Sequence, residues 1–217
     1  MAFKSNPRHR SWIIFLGLVD AFVVGIVAGI FYSHASQTLC SDVPCDRFNI
    51  RVWAIENIIR QGDRSPRYLA IGDSITEGAA LPDICGRRPI NAGIVGATVE
   101  TFEKLGPLLA KLAQPDFIIV ALGTNDALQH RTEGFQARLS DLISSLKLWP
   151  VIAVPLPPGQ NVKDIVRFNA AIEALQVTKT RTLELIETTD GVHLTAASYV
   201  AWKDSIVSAA SKLICPR

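Results

Sequence analysis

The sequence predicts an α/β domain built on a central parallel sheet and preceded by a transmembrane helix. Three observations carry that prediction. From Pro66 onward, short apolar runs alternate with longer stretches of helical period. One apolar segment, Ser11 to Tyr32, fills the amino end. A chain of 217 residues at 48% hydrophobic and 19% charged suffices for one core with an appendage, and is too apolar for a disordered polymer. No internal repeat or low-complexity tract interrupts the pattern.

Residues 1–10 are a basic tail with Lys4, Arg8 and Arg10, and residues 11–32 follow with one ionisable side chain, Asp20. At about 1.5 Å per residue, a helix of that length spans roughly 33 Å, the thickness of a bilayer's hydrocarbon core. The basic side is expected in the cytoplasm, because Asp42 and Asp46 lie on the far side. The result is a single-pass protein with an extracytoplasmic body, periplasmic if the source is bacterial. The rival reading is a secretory signal peptide cut at Ser33-His34-Ala35, which would release the body. An apolar run well beyond the usual h-region of about 7–15 residues favours the anchor. Asp20 is read as a protonated or water-reaching side chain in a lone anchor. Residues 33–45 then form a linker and 46–217 the folded body.

Within the body, Ile50, Trp53, Ile55, Ile58 and Ile59 predict a helix over 46–62, and Gly62 to Pro66 a turn into the first strand. Buried strands are expected at Arg67–Ile71, Phe117–Leu122, Val151–Val154 and Thr182–Ile186, with a weaker one at Pro89–Ala92. Helical stripes run through Phe135, Leu139, Leu142, Ile143 and Leu146, and through Ile165, Phe168, Ile172 and Leu175. A last stripe comprises Tyr199, Trp202, Ile206, Ala209 and Leu213, with Thr195 as N-cap. Val99 to Leu112 is also helical in period, and Gly106-Pro107 is expected to break or kink it. Such alternation implies helices on both faces of the sheet.

Charge excludes one class of partner. Past residue 35 the chain carries 19 residues of each sign with no basic stripe, whereas nucleic acid requires clustered cations to displace counterions. A nucleotide site is equally unsupported, because Gly72-Asp73-Ser74-Ile75-Thr76-Glu77-Gly78 lacks both the Gly-x-Gly-x-x-Gly pattern and a P-loop lysine. The cysteines Cys40, Cys45, Cys85 and Cys215 follow the apolar run into an oxidising compartment, and no Cys/His spacing supports zinc or another metal.

Open parallel sheets place function at the carboxyl ends of their strands. There the sequence sets Gly72-Asp73-Ser74 after the first strand, Gly123-Thr124-Asn125-Asp126 after the third, and Asp190-Gly191-Val192-His193 before the last helix. A serine hydroxyl needs a base to take its proton, and His193 is the best placed. His9 and His34 flank the apolar run; His130 is the competitor, without an obvious acid. Asp190 can fix the His193 tautomer. The oxyanion formed on acyl attack needs preset donors, for which the Ser74 N–H, a glycine N–H and the Asn125 amide suggest themselves. Singly, each also suits a turn or a cap. Asp73 and Asp126 are read as helix-start and loop-stabilising groups.

These blocks, with Asn91-Ala92-Gly93-Ile94-Val95-Gly96 between the first two, resemble the SGNH or GDSL-type hydrolase family in order, over about residues 66–213. The resemblance implies a three-layer flavodoxin-like domain that hydrolyses esters without a cofactor. It assigns Ser74, Asp190 and His193 to catalysis and Ser74, Gly96 and Asn125 to the oxyanion hole, preferring Gly96 over Gly93. A flavodoxin-like order also brings Cys85 near Cys215, leaving Cys40 to pair with Cys45.

Only 16 residues separate Ser74 from Asn91, with Gly78, Pro82, Gly86 and Pro89 among them, so the first crossover is expected to be abbreviated. That wall looks too small for a lipid tail. The expected substrate is therefore a small acyl ester, acetyl foremost, on a carbohydrate or other cell-envelope molecule such as an acylated glycan. The alternatives are a lysophospholipase or thioesterase acting on longer chains, and a non-catalytic polysaccharide-binding domain. Arg87 and Arg88 are read as solvated surface or as recognising an acidic substrate.

Overall fold

A computed structural model describes residues 45–62 and 65–215. The anchor at 11–32, residues 33–44 of the linker and Cys40 of the Cys40–Cys45 pair lie outside the described residues. Among the described residues no helix is long and apolar enough to cross a membrane.

Helix α1 (Cys45–Gln61) leads into β1 (Arg67–Gly72), and the one-turn α2 (Ser74–Glu77) follows directly. Next come β2 (Arg88–Gly93), α3 (Val99–Ala113), β3 (Phe117–Ala121), α4 (Thr124–Leu128) and α5 (Phe135–Ser145). The chain ends through β4 (Val151–Ala153), α6 (Ile165–Glu173), β5 (Thr178–Lys179) and α7 (Ala196–Ile214). The five strands are parallel in the order β2-β1-β3-β4-β5. Alternate strand residues serve opposite faces. Tyr68, Ala70, Phe117, Ile119 and Ile152 share a core cluster with Trp202, Ile206 and Ala210 of α7. On the other side, α3 packs on β1 and α5, and α1 covers β2 and α3.

The abbreviated crossover is real. A single helical turn follows Ser74, and its compact connection back to β2 buries Ile75, Ala79, Ile84 and Ile90. Cys85 of that connection is joined to Cys215 at the end of α7, with Cα atoms 5.7 Å apart, as the flavodoxin-like order implied.

Three expectations fail. Thr182–Ile186 is not a strand: β5 lies at Thr178–Lys179, and Leu185 is 96% exposed. In the observed register, with Ile152 opposite Thr178, residues 182–186 would have to pair beyond Val154. There Pro155, Pro157 and Pro158 supply no N–H. Helix α3 runs on through Pro107 without the break allowed for there. Pro107 and Glu103 are both half-buried, so solvent can serve the carbonyl that loses its partner. Leu213 is 40% exposed, and the last stripe ends at Ala209 and Ala210.

Candidate active site

The register sets Gly72, Gly93 and Ala121 level across β1, β2 and β3, so the segments that follow these strands leave the sheet at one edge. At that edge Asp73 caps α2, its Oδ1 accepting the Ile75 N–H at 2.9 Å. The cap fixes Ser74 as the first residue of the turn, where a backbone N–H has no intrahelical acceptor.

The Ser74 hydroxyl reaches His193 from the far end of the chain. Ser74 Oγ lies 2.9 Å from His193 Nε2, and His193 Nδ1 lies 2.6 Å from Asp190 Oδ2. Asp190 Oδ1 also accepts the backbone N–H groups of Val192 at 3.0 Å and His193 at 2.7 Å. The imidazole bond and then these two amides hold the Asp190 carboxyl down at about 2, so it is ionised at neutral pH. An ionised Asp190 keeps the imidazole proton on Nδ1 and leaves Nε2 to accept the serine proton. The side chains of His193 and Asp190 are 44% and 54% exposed, so the line of three opens to solvent. His130, the rival base, is exposed at the end of α4 with a φ of 56°.

The two glycines of the second block have different work. A Cβ on Gly93 would run into the backbone of Thr76 and Glu77, so β2 and the serine turn touch only because that residue is glycine. The Gly93 N–H is occupied by Asn91 Oδ1 at 2.9 Å. Gly96, at φ 79°, stands in a turn closed by Ala97 N–H donating to the Ile94 carbonyl, and no acceptor meets its own N–H among the described residues. Asn125 Nδ2 donates one hydrogen to the Ala97 carbonyl at 3.0 Å. That bond aims the amide at the same turn and leaves its second hydrogen for another acceptor.

Two buried acids support these loops. Burial pushes the Asp73 carboxyl up to about 6, against the pull of the Ile75 N–H and Thr124, and also raises Asp126 to about 6. Asp126 Oδ2 accepts the Val99 N–H at 3.1 Å and so ties the Asn125 turn to the start of α3. Among the described residues, no group of three or more His, Cys, Asp or Glu side chains forms a metal site.

The profile of the GDSL-like lipase/acylhydrolase family matches residues 70–201, a stretch that includes all four blocks. The chain belongs to this family. It is therefore an ester hydrolase of the SGNH type, as the four blocks implied. No curated protein sequence matches it. Solved structures similar in fold include a lipase/acylhydrolase from Enterococcus faecalis, at 21% identity and TM-score 0.58, covering 70% of this chain and 98% of that one. An acetylxylan esterase from Geobacillus stearothermophilus is similar at 18% identity and TM-score 0.55, covering 66% and 93% of the two chains. TesA is similar at 19% identity and TM-score 0.54, covering 68% of this chain and 99% of that one.

Sequence reasoning missed several residues around the acylhydrolase site. Asn91 Nδ2 donates to the carbonyls of Thr76 at 2.7 Å and Ala79 at 3.1 Å, which lashes the serine turn to β2. Asn161 Nδ2 donates to the Asp190 carbonyl at 2.9 Å and steadies the turn before His193. Arg51 and Glu77 approach the glycine loop itself. Asn91 left a trace as the first residue of the second block, and Arg51 as a cation at helical spacing with Phe48 and Ile55 on the inward side of α1. Arg87 and Arg88 are not at the site. They sit at the amino end of β2, the opposite edge, where Arg87 Nε is 3.6 Å from Asp116 and Arg88 Nε donates to Ser65 Oγ at 3.0 Å.

Proposed function

We propose that this acylhydrolase is a serine esterase in which Ser74 attacks the ester carbonyl, His193 carries the proton and Asp190 orients the imidazole. The hydrogen-bonded line from Asp190 through His193 to Ser74 carries the reading. In this reaction the Ser74 proton passes to His193 Nε2 as the Oγ–carbon bond forms, and returns to the leaving alcohol as the tetrahedral intermediate collapses. Water repeats the cycle on the acyl-enzyme and releases the acid. The backbone N–H groups of Ser74 and Gly96 and the free hydrogen of Asn125 Nδ2 receive the oxyanion.

The acyl group is small, with acetyl foremost, and the alcohol is a carbohydrate or other cell-envelope molecule. Two observations support this. Of the six apolar residues that could line a trench, Ile75, Ala79, Ile84 and Ile90 are used up in the core, Leu81 is half-buried and only the small Ala80 is exposed. The exposed His193 and Asp190 side chains leave room for a bulky alcohol. The likeness in fold to the acetylxylan esterase is consistent with such a substrate.

The test is kcat/KM along an ester series from acetyl to octanoyl. Efficiency should fall or stay level with chain length, since a trench would add up to about 0.8 kcal/mol per buried methylene. A steady climb would reassign the enzyme to lysophospholipase or thioesterase chemistry. Ser74→Ala and His193→Ala should each lower the rate by several orders of magnitude. Asn125→Ala should cost roughly a hundredfold in kcat. Full activity in Ser74→Ala would remove the site.

A further inference from the structure

Beyond the Asp190–His193–Ser74 line, a second polar assembly grips the glycine loop. Arg51 lies on the inward side of α1 with Phe48 and Ile55, its side chain 22% exposed. A guanidinium stays charged in such a place, so it must be met by acceptors. Its Nε donates to the Gly93 carbonyl at 2.8 Å and its Nη2 to the Asn91 carbonyl at 3.0 Å. On the other side of the loop, Glu77 Oε2 accepts the Val95 N–H at 2.6 Å, while Glu77 Oε1 stands 4.0 Å from Arg51 Nε. Three elements thus converge: α1, the serine turn α2, and the end of β2.

The pinned atoms lead directly to Gly96. Gly93 and Val95 are held on successive sides, and the next residue turns left-handed at φ 79°. Beyond it the loop is closed by the Ala97 to Ile94 turn and by Asn125. A backbone donor helps a transition state only if it is held to within about 0.5 Å, and a misplacement of about 1 Å can cost a hundredfold. We propose that Arg51 and Glu77 are positioning residues, a charged clasp that sets the Gly96 N–H for the oxyanion. The inference rests on the assignment of Gly96 to the oxyanion hole. It makes α1 part of the working acylhydrolase, although α1 lies ahead of the first family block and outside the residues that match the family.

The experiment uses the full chain in detergent with p-nitrophenyl acetate, and the rate at which a fluorophosphonate labels Ser74. Arg51→Met and Glu77→Gln should each lower kcat about ten- to hundredfold with KM within about twofold, and should slow labelling by a similar factor. The double variant should lose little more than the worse single one, because both act on one loop. Arg60→Met, which removes an exposed cation of the same helix, should leave kcat unchanged. A purely structural role would instead lower thermal stability and leave kcat of the folded fraction intact. The clasp is overturned if both single variants keep kcat within about twofold of the parent at a temperature where they are folded. If Arg51→Met does not fold, Glu77→Gln decides alone on the same criterion. Full activity in Ser74→Ala would overturn the site and the clasp together. An inactive Ser74→Ala beside normal Arg51→Met and Glu77→Gln would overturn only the clasp.

Discussion

Asp73 and Asp126 show how a single buried carboxyl can serve the site at a cost in stability. Both are nearly inaccessible to solvent, and burial raises both from an ordinary 3.8 to about 6. The folded chain therefore retains protons that the unfolded chain has already released between about pH 4 and 6. Their contribution favours the fold below about pH 4 and is lost as pH rises through 6. Asp126→Asn cannot ionise, so it should flatten the decline in stability between pH 4.5 and 7 by on the order of 2 kcal/mol, measured by urea unfolding. An unchanged slope would show that Asp126 is not the group responsible. Asp190 acts in the opposite sense and in another window. Its carboxyl is held at about 2, so its contribution is present above about pH 4 and is lost only as pH falls toward 2.

At the scale of elements, the short α2 and the long α7 depend on each other. Tyr199 of α7 donates its hydroxyl to the Ile75 carbonyl at 3.0 Å, and Trp202 is buried in the cluster that also holds Ile75 and Ala79. The Cys85–Cys215 bridge ties the far end of α7 to the connection before β2 and closes a separation of 130 residues. Closing so long a loop restricts the unfolded chain strongly. Cys85→Ser with Cys215→Ser should therefore cost about 2–4 kcal/mol in chemical unfolding. The kcat should be unchanged, because Cys85 precedes the amino end of β2 and Ser74 lies at the carboxyl edge. A loss of kcat without loss of stability would refute that separation of roles.

For the whole molecule, the described residues belong to one compact unit. We propose that residues 11–32 anchor this body outside the cytoplasm, on the grounds of the run's length and its basic flank. Protease added to bacterial spheroplasts expressing the chain should digest the body and leave a short amino-terminal fragment. Digestion seen only after lysis would reverse the orientation. A mature chain that starts near Ser36 would establish a cleaved signal peptide.

The sequence alone determined what depends on neighbours along the chain. Apolar runs located four of the five strands, Thr195 and Asp73 were identifiable as caps from their side chains, and the first three blocks marked strand ends that face one edge. The ordered blocks also indicated the family, because acyl transfer needs a nucleophile, a base and preset donors whatever fold presents them. Tertiary structure alone decided among local equals. Val154 to Pro158 could not serve as a pairing edge, so β5 formed at Thr178 instead of Thr182. Gly93 was excluded as a donor by its bond to Asn91, and His193 was brought to Ser74 across 119 residues. Arg51 reaches Gly93 across 42 residues and Asn161 reaches Asp190 across 29. Such bonds leave no period or spacing in the sequence, because they depend on which strands lie side by side, and only the folded sheet specifies that.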